Sequence, residues 1–170
     1  MNRAEFWNLI DTARTATDDD VDAQSEYLET HLKALPDADL FSFHEHFYTL
    51  YNPTYRADLR GAAYIINGGC SDDGFDYFRA WLIGRGQAAY EMALANPDSL
   101  ADVAEDDFAE QEDLLLIAMS VWLKRHGKTW SDDTPFPHHP QPALVGELED
   151  WDEDEEKLAQ LYPRLFAKFS

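Results

Sequence analysis

A single cysteine among 170 residues excludes an intramolecular disulfide framework and a structural zinc site built on thiolates. Only 13 lysines and arginines stand against 34 acids, for a formal charge of −21. Direct nucleic-acid binding is therefore disfavoured, because each phosphate contact needs a cation. No apolar run is long enough to cross a bilayer. The longest, Leu114 to Leu123, is broken by Ser120 and bounded by Asp113 and Lys124, whereas a span needs about 20 residues. The opening Met1-Asn2-Arg3-Ala4-Glu5-Phe6-Trp7 holds no apolar signal core. The lone thiol and the lack of an export signal make the cytoplasm the expected compartment. Alternating strand patterns and internal repeats are missing too.

What the chain does have is hydrophobic content of 45% and aromatic content of 14%, enough apolar area to offset ordering entropy despite the charge. Its apolar residues recur at helical spacing. Asn2 and Glu5 form a capping-box pattern ahead of the Phe6, Leu9, Ile10, Ala13 stripe. Asp18, Asp19 and Asp20 place negative charge where a second helix begins; Val21, Leu28, Leu32 and Leu35 form its face and Pro36 ends it. Asp37 or Asp39 is the expected cap of a third helix, whose two apolar stripes predict burial over a wide arc. A fourth helix is expected over 54–66. Ser71 or Asp72 caps a fifth, Gly84 and Gly86 end it, a sixth runs over 87–95 and a seventh over 105–126.

Pro135, Pro137, Pro140 and Pro142 preclude regular helix over 128–146, which reads as an extended surface loop. A last helix buries Leu158, Leu161, Tyr162, Leu165 and Phe169, with Pro163 either kinking it or opening a short final helix. The expected fold is all-α: a single-domain irregular bundle of about seven to eight helices. Residues 1–127 form its core, 128–146 a proline-rich loop, and 147–170 an acidic C-terminal helix packed on the core.

The most densely patterned stretch is Gly68-Gly69-Cys70-Ser71-Asp72-Asp73-Gly74-Phe75, continuing to Gly86. Two glycines permit a sharp entry into a helix. Asp72, Asp76 and Arg79 follow at i, i+4 and i+7, so they share a helix face. Capping alone also asks for Ser and Asp at a helix start. Cys70, Ser71, Asp72, Asp73, Asp76 and Arg79, with His44, make up the candidate ligand or partner site. Such a cluster suits a cationic or hydrogen-bonding ligand, or a lock onto arginines elsewhere, for example Arg56 or Arg60.

Cys70 is a weak nucleophile candidate, since Asp72 and Asp73 disfavour a nearby thiolate. His44 and His46, two apart on a helix, point to different sides and do not suit one metal ion. His138 and His139 lack further ligands, so no metal or cofactor is expected. Trp7, Trp81 and Trp122 read as core, and Trp130 and Trp151 as pins for the proline-rich loop.

The run Gly-Gly-Cys-Ser-Asp-Asp-Gly-Phe, with Phe78-Arg79-Ala80-Trp81-Leu82-Ile83, Tyr90-Glu91 and Asn96-Pro97-Asp98-Ser99-Leu100, resembles a bacterial domain-of-unknown-function family, as does the opening Glu5-Phe6-Trp7 with Leu9-Ile10-Asp11. The matching segments lie within 1–100, most densely within 61–100. The resemblance implies a portable recognition or accessory domain and brings no mechanism.

Acids crowd two stretches, 98–113 and 147–156, each with eight acids and no base. Dipole complementarity explains acids near helix starts but fades after the first turn, so it does not account for sixteen. Three readings do: solubility first, docking of a basic protein second, and imitation of the phosphate spacing of a nucleic acid to occupy its binder. The leading functional expectation is a small binding or accessory module with an acidic surface. Beside it stand an immunity- or antitoxin-like protein docking a basic partner, and a small enzyme or ligand-binding protein using the acid–arginine cluster at 72–79. Neither nucleic acid nor membrane is expected as a partner.

Overall fold

The computed structural model describes residues 1–105, 107–147 and 155–170, among which the chain is helical and holds no strand. The order is α1 (Arg3–Ala16), α2 (Val21–Lys33), α3 (Asp37–Tyr51), α4 (Ala57–Asn67), α5 (Asp72–Gly84), α6 (Gln87–Ala95), α7 (Asp113–Arg125), α8 (Glu155–Leu161) and α9 (Pro163–Phe169). Short 3-10 segments lie at Asn52–Thr54 and Pro97–Asp102. None of the described helices is long and apolar enough to cross a membrane.

Local signals set several helix starts. Asn2 Oδ1 accepts from the Glu5 amide at 2.9 Å while Glu5 returns a carboxylate to the Asn2 amide at 2.7 Å. Asp20 caps α2 through the Ala23 amide, and Ser71 caps α5 through the Gly74 amide. At α3 the expectation of an aspartate cap is corrected: Pro36 occupies the cap position and makes no side-chain cap bond. Asp37 instead ties α3 to the end of α7, accepting from Trp122 Nε1 and pairing with Arg125 and His126.

The core joins Phe6 and Trp7 of α1, Phe43 and Phe47 of α3, and Phe75, Phe78 and Trp81 of α5. Each such side chain, fully buried, contributes roughly 1.5–3 kcal/mol. The helix α7 covers this layer, packing on α2, α3 and α5.

Tertiary contacts shorten the seventh helix, which starts at Asp113 rather than at 105. The preceding strip is held extended from outside: the Ala109 amide donates to Asn67 Oδ1 at 2.7 Å, and the Gln111 amide to the Tyr77 carbonyl at 3.1 Å. Similarly, Tyr55 and Arg56 leave helical geometry because the returning loop pairs with them. The Ala57 amide donates to the Val145 carbonyl, and the Val145 amide to that of Tyr55. The fourth helix therefore begins at Ala57, not 54.

The proline-rich loop is anchored by Phe136, which is buried against Phe41, His44 and Trp122. Trp130 does not pin it; that ring is 59% exposed. Trp151 lies outside the described residues, as do Asp106 and most of the second acidic run. Pro163 opens a separate final helix. Leu158, Tyr162 and Leu165 are buried as expected, whereas Leu161 is half-exposed. The amides of Arg164 and Leu165 donate to the buried carboxylate of Asp98, so α9 is capped by a residue far upstream.

Candidate functional site

The structure separates the seven candidate residues into three neighbourhoods. Cys70, Ser71, Asp72 and Asp73 sit at the open start of α5. A side chain added at Gly68 or Gly69 would meet nothing within 4 Å, but both glycines hold positive φ. Asp72 pairs with Arg60 at 2.8 Å and Ser71 serves as the cap. Burial pushes the Cys70 thiol up to about 11, with Glu110 and Asp72 adding to the shift and Arg60 opposing it. At neutral pH Cys70 then holds about a hundredfold less thiolate than an ordinary cysteine. Its alkylation by iodoacetamide, followed by mass spectrometry, should be correspondingly slow, gaining about tenfold per pH unit until the thiol titrates at about 11. Alkylation at the rate of free cysteine at pH 7 would contradict this assignment.

Asp76 and Arg79 lie deeper. The shared stripe of Asp72, Asp76 and Arg79 runs from solvent into the protein, and Arg79 at its end is 0% exposed. Its guanidinium donates to Asp76 Oδ1 at 2.8 Å, Thr54 Oγ1 at 3.1 Å and the Tyr51 carbonyl at 3.3 Å. The Tyr51 ring lies 3.7 Å and the Tyr55 ring 4.8 Å from its central carbon. Every face of this cation is used to join α5 to the end of α3.

His44 is buried in the α3 face, its Nε2 3.4 Å from the Pro137 carbonyl and its ring beside those of Tyr48 and His139. Burial lowers its pKa. His46 faces the other way, toward the Met1 carbonyl. Among the described residues no three His, Cys, Asp or Glu side chains group as metal ligands.

A different set of residues combines burial, charge and open space. At the end of α5, Arg85 is only 7% exposed. Its Nη2 donates to Gln24 Oε1 at 2.8 Å, and Gln24 Nε2 in turn donates to the Gly84 carbonyl at 2.8 Å. Gln111 Nε2 reaches Ser25 Oγ at 3.1 Å and Gln24 Oε1 at 3.4 Å. Gln24, Ser25, Arg85 and Gln111 thus form a buried polar patch between α1, α2 and α5. Gly84 makes room for it, since a Cβ there would fall well under 3.0 Å from Gln111 Oε1; Gly86 gives the same clearance to Asp11 Oδ1 beside the patch.

Three adjoining clefts open over this patch. One, of about 500 Å³, is lined by Arg85, Arg14, Trp81, Met92 and Phe108. A second, of about 250 Å³, shares Val21 and Phe108 with it and reaches Ser25 and Gln111. A third of similar size shares Ser25, Glu112 and Asp113 with the second and ends at Leu116 and Trp130. The resulting groove is acidic. Asp18, Asp19, Asp20, Asp102 and Glu105 line the first cleft; Asp22, Glu110, Glu112 and Asp113 join in the second, and Glu26 and Glu29 in the third. Arg14, Arg85 and Lys124 line the groove with these eleven acids, and from outside it Lys33 pairs with Glu29 and Arg164 with Asp102. Burial and the neighbouring charge of Glu112 raise the Glu110 pKa. Four of the six exposed large apolar side chains among the described residues, namely Met92, Phe108, Leu116 and Trp130, also line this groove.

Sequence reasoning passed over this groove. The available signals were an arginine bracketed by Gly84 and Gly86, and an isolated Phe108 inside an acidic run.

Fold and groove together define an all-helical domain with a long, acid-lined, polar-floored surface channel. Residues 1–124 match the model of a family described as a protein of unknown function, DUF4240, and the chain belongs to that family. No curated protein and no solved structure matches it.

Proposed function

We propose that the protein is a non-catalytic interaction module that docks a basic, apolar-spaced segment of a partner protein in the groove beneath Phe108. The observation that carries this reading is the coincidence of two properties on one surface: eleven acids against three bases, and four exposed large apolar side chains. Solubility accounts for the acids but not for apolar side chains set among them, Phe108 being 65% exposed. Apolar anchors within a field of one sign supply affinity and steering respectively. The Glu110 carboxyl is raised first by burial and then by the charge of Glu112, and a basic partner would offset the second of these.

The enzyme reading at 72–79 loses its central group, because Arg79 is sealed and paired with Asp76. Asp72, paired with Arg60, and Asp73 stand exposed at the helix start, and the neighbouring Cys70 thiol is held protonated by burial. An immunity- or antitoxin-like role is the form this docking takes when the basic partner is a toxic enzyme.

The test is selection from a random displayed-peptide library on the full chain and on a triple variant, Asp22→Lys, Glu110→Lys, Glu112→Lys. The wild type should enrich peptides rich in Lys and Arg with interspersed Leu, Phe or Trp, and the variant should lose them. Affinity of an enriched peptide should fall about tenfold or more between low and high salt. Enrichment of neutral or acidic peptides, or equal retention by the variant, would refute the docking reading.

A further inference from the structure

Proline chemistry fixes the backbone of the loop that lies along α3. Pro137, Pro140 and Pro142 hold φ at about −65°, and Phe136, His139 and Gln141, each preceding a proline, are kept from helical geometry. Over 136–142 only His138 escapes both restrictions. Burial follows the period these restrictions dictate. Phe136 is buried, His139 and Pro142 are half-buried, and Pro137, His138, Pro140, Gln141 and Ala143 are exposed. Every third residue faces the protein, as in a polyproline II helix with three residues per turn. A strand, with its period of two, would turn His138 and Pro140 inward alongside Phe136.

The inward edge pins this ribbon at intervals. Phe136 sits among the rings of Phe41, His44 and Trp122, and the Pro137 carbonyl lies 3.4 Å from His44 Nε2. The His139 ring stacks on Tyr48 with centroids 4.8 Å apart, and its Nε2 lies 3.0 Å from Glu45 Oε1. Past Ala143 the chain turns, and Val145 exchanges backbone hydrogen bonds with Tyr55 and Ala57. Between these anchors the backbone of 138–144 makes no hydrogen bond among the described residues, which leaves its carbonyls open to a partner.

Two adjacent edges face solvent: Pro137, Pro140 and Ala143 on one, His138 and Gln141 on the other. None of these residues lines the acidic groove. Grooves walled by aromatic side chains read proline ribbons in this conformation, gaining from a backbone that is already ordered. Here the ordering is complete on folding, because the third edge is fastened to α3.

We propose that residues 137–143 form a presented ligand for the aromatic-lined, proline-reading groove of a partner protein. Pro137 and Pro140, one turn apart, seat between the partner's rings, and His138 and Gln141 contribute polar contacts from the adjoining edge. Asp132 and Asp133 before the ribbon and Glu147 after it favour a groove with a basic rim. This surface and the groove beneath Phe108 stand independently, so either reading survives the loss of the other.

The probe is a panel of isolated WW and Src-homology-3 domains, each titrated into the labelled full chain and followed by NMR. At least one should bind saturably and shift the amides of His138, Gln141 and Ala143. Pro140→Ala should weaken that binding about tenfold, the worth of one seated proline ring. Pro142→Ala, on the inward edge, should change it by less than about twofold. His139→Ala touches no partner but frees the ribbon from Tyr48 and Glu45, so it should cost about fivefold through lost ordering alone. Absence of saturable binding across the panel, or shifts confined to other surfaces, would overturn the proposal. Equal losses from Pro140→Ala and Pro142→Ala would overturn it as well, since a ribbon bound without its anchors has no preferred edge.

Discussion

Replacing Arg79 by alanine should lower the unfolding free energy by about 3–5 kcal/mol, the loss expected when a large, fully buried side chain is truncated and its buried acceptors lose their donor. The Tyr51 carbonyl and Thr54 hydroxyl would lose a charged donor, and a void would open between the Tyr51 and Tyr55 rings. In a chain of this length the midpoint of thermal unfolding should fall by roughly 6–20 °C. Arg79→Met keeps most of the volume and removes the charge, so it should cost about 1–2 kcal/mol. Arg79→Lys should be no better than methionine, since an ammonium cannot stack flat on Tyr51. Denaturant melts of the three variants check the order. If alanine proved no worse than methionine, the stacked guanidinium would not be the brace between α3 and α5 described here.

Gly61→Ala should destabilise the attachment of the C-terminal helices, against the usual direction of such a change. In a helix interior alanine is favoured over glycine by about 0.8–1.0 kcal/mol. At Gly61, however, an added Cβ would stand 2.8 Å from Tyr162 Cζ and closer still to the hydroxyl. Tyr162 is buried and donates to the Asp58 carbonyl at 2.8 Å. Displacing it forfeits a buried aromatic and a hydrogen bond, about 2–4 kcal/mol, which outweighs the propensity gain. Hydrogen exchange should show residues 155–170 losing protection by about one to two orders of magnitude while α3 and α5 keep theirs. In a Tyr162→Ala background the same Gly61→Ala change should become neutral or stabilising. If the two substitutions simply added, the close approach would not be the cause.

Helices set by neighbouring residues were legible in the sequence. The Asn2–Glu5 box, the Ser71 cap and the 87–95 bounds of α6 needed only local chemistry. The strip before α7 was not legible, because Asn67 and Tyr77 hold it straight from some 35–40 residues away. Spacing placed Arg79 on a face with Asp72 and Asp76. It could not show that Tyr51 and Tyr55, from another element, close over that face and turn an apparent ligand group into a brace. The groove was hidden for a related reason. Its floor draws Gln24, Arg85 and Gln111 from three separate stretches, and its apolar members are scattered singly along the chain.

Asp98 sits within the stretch shared with the family, yet the backbone amides that satisfy it belong to α9, nearly forty residues past the end of that stretch at 124. Gly61 likewise keeps a hollow that Tyr162 fills. The region that defines kinship is therefore a socket as well as a core. A chain cut at residue 124 would leave that carboxylate without its amide donors and an empty notch on its flank. Residues 155–170 supply what both lack, so the tail is in physical terms a tethered ligand of its own domain.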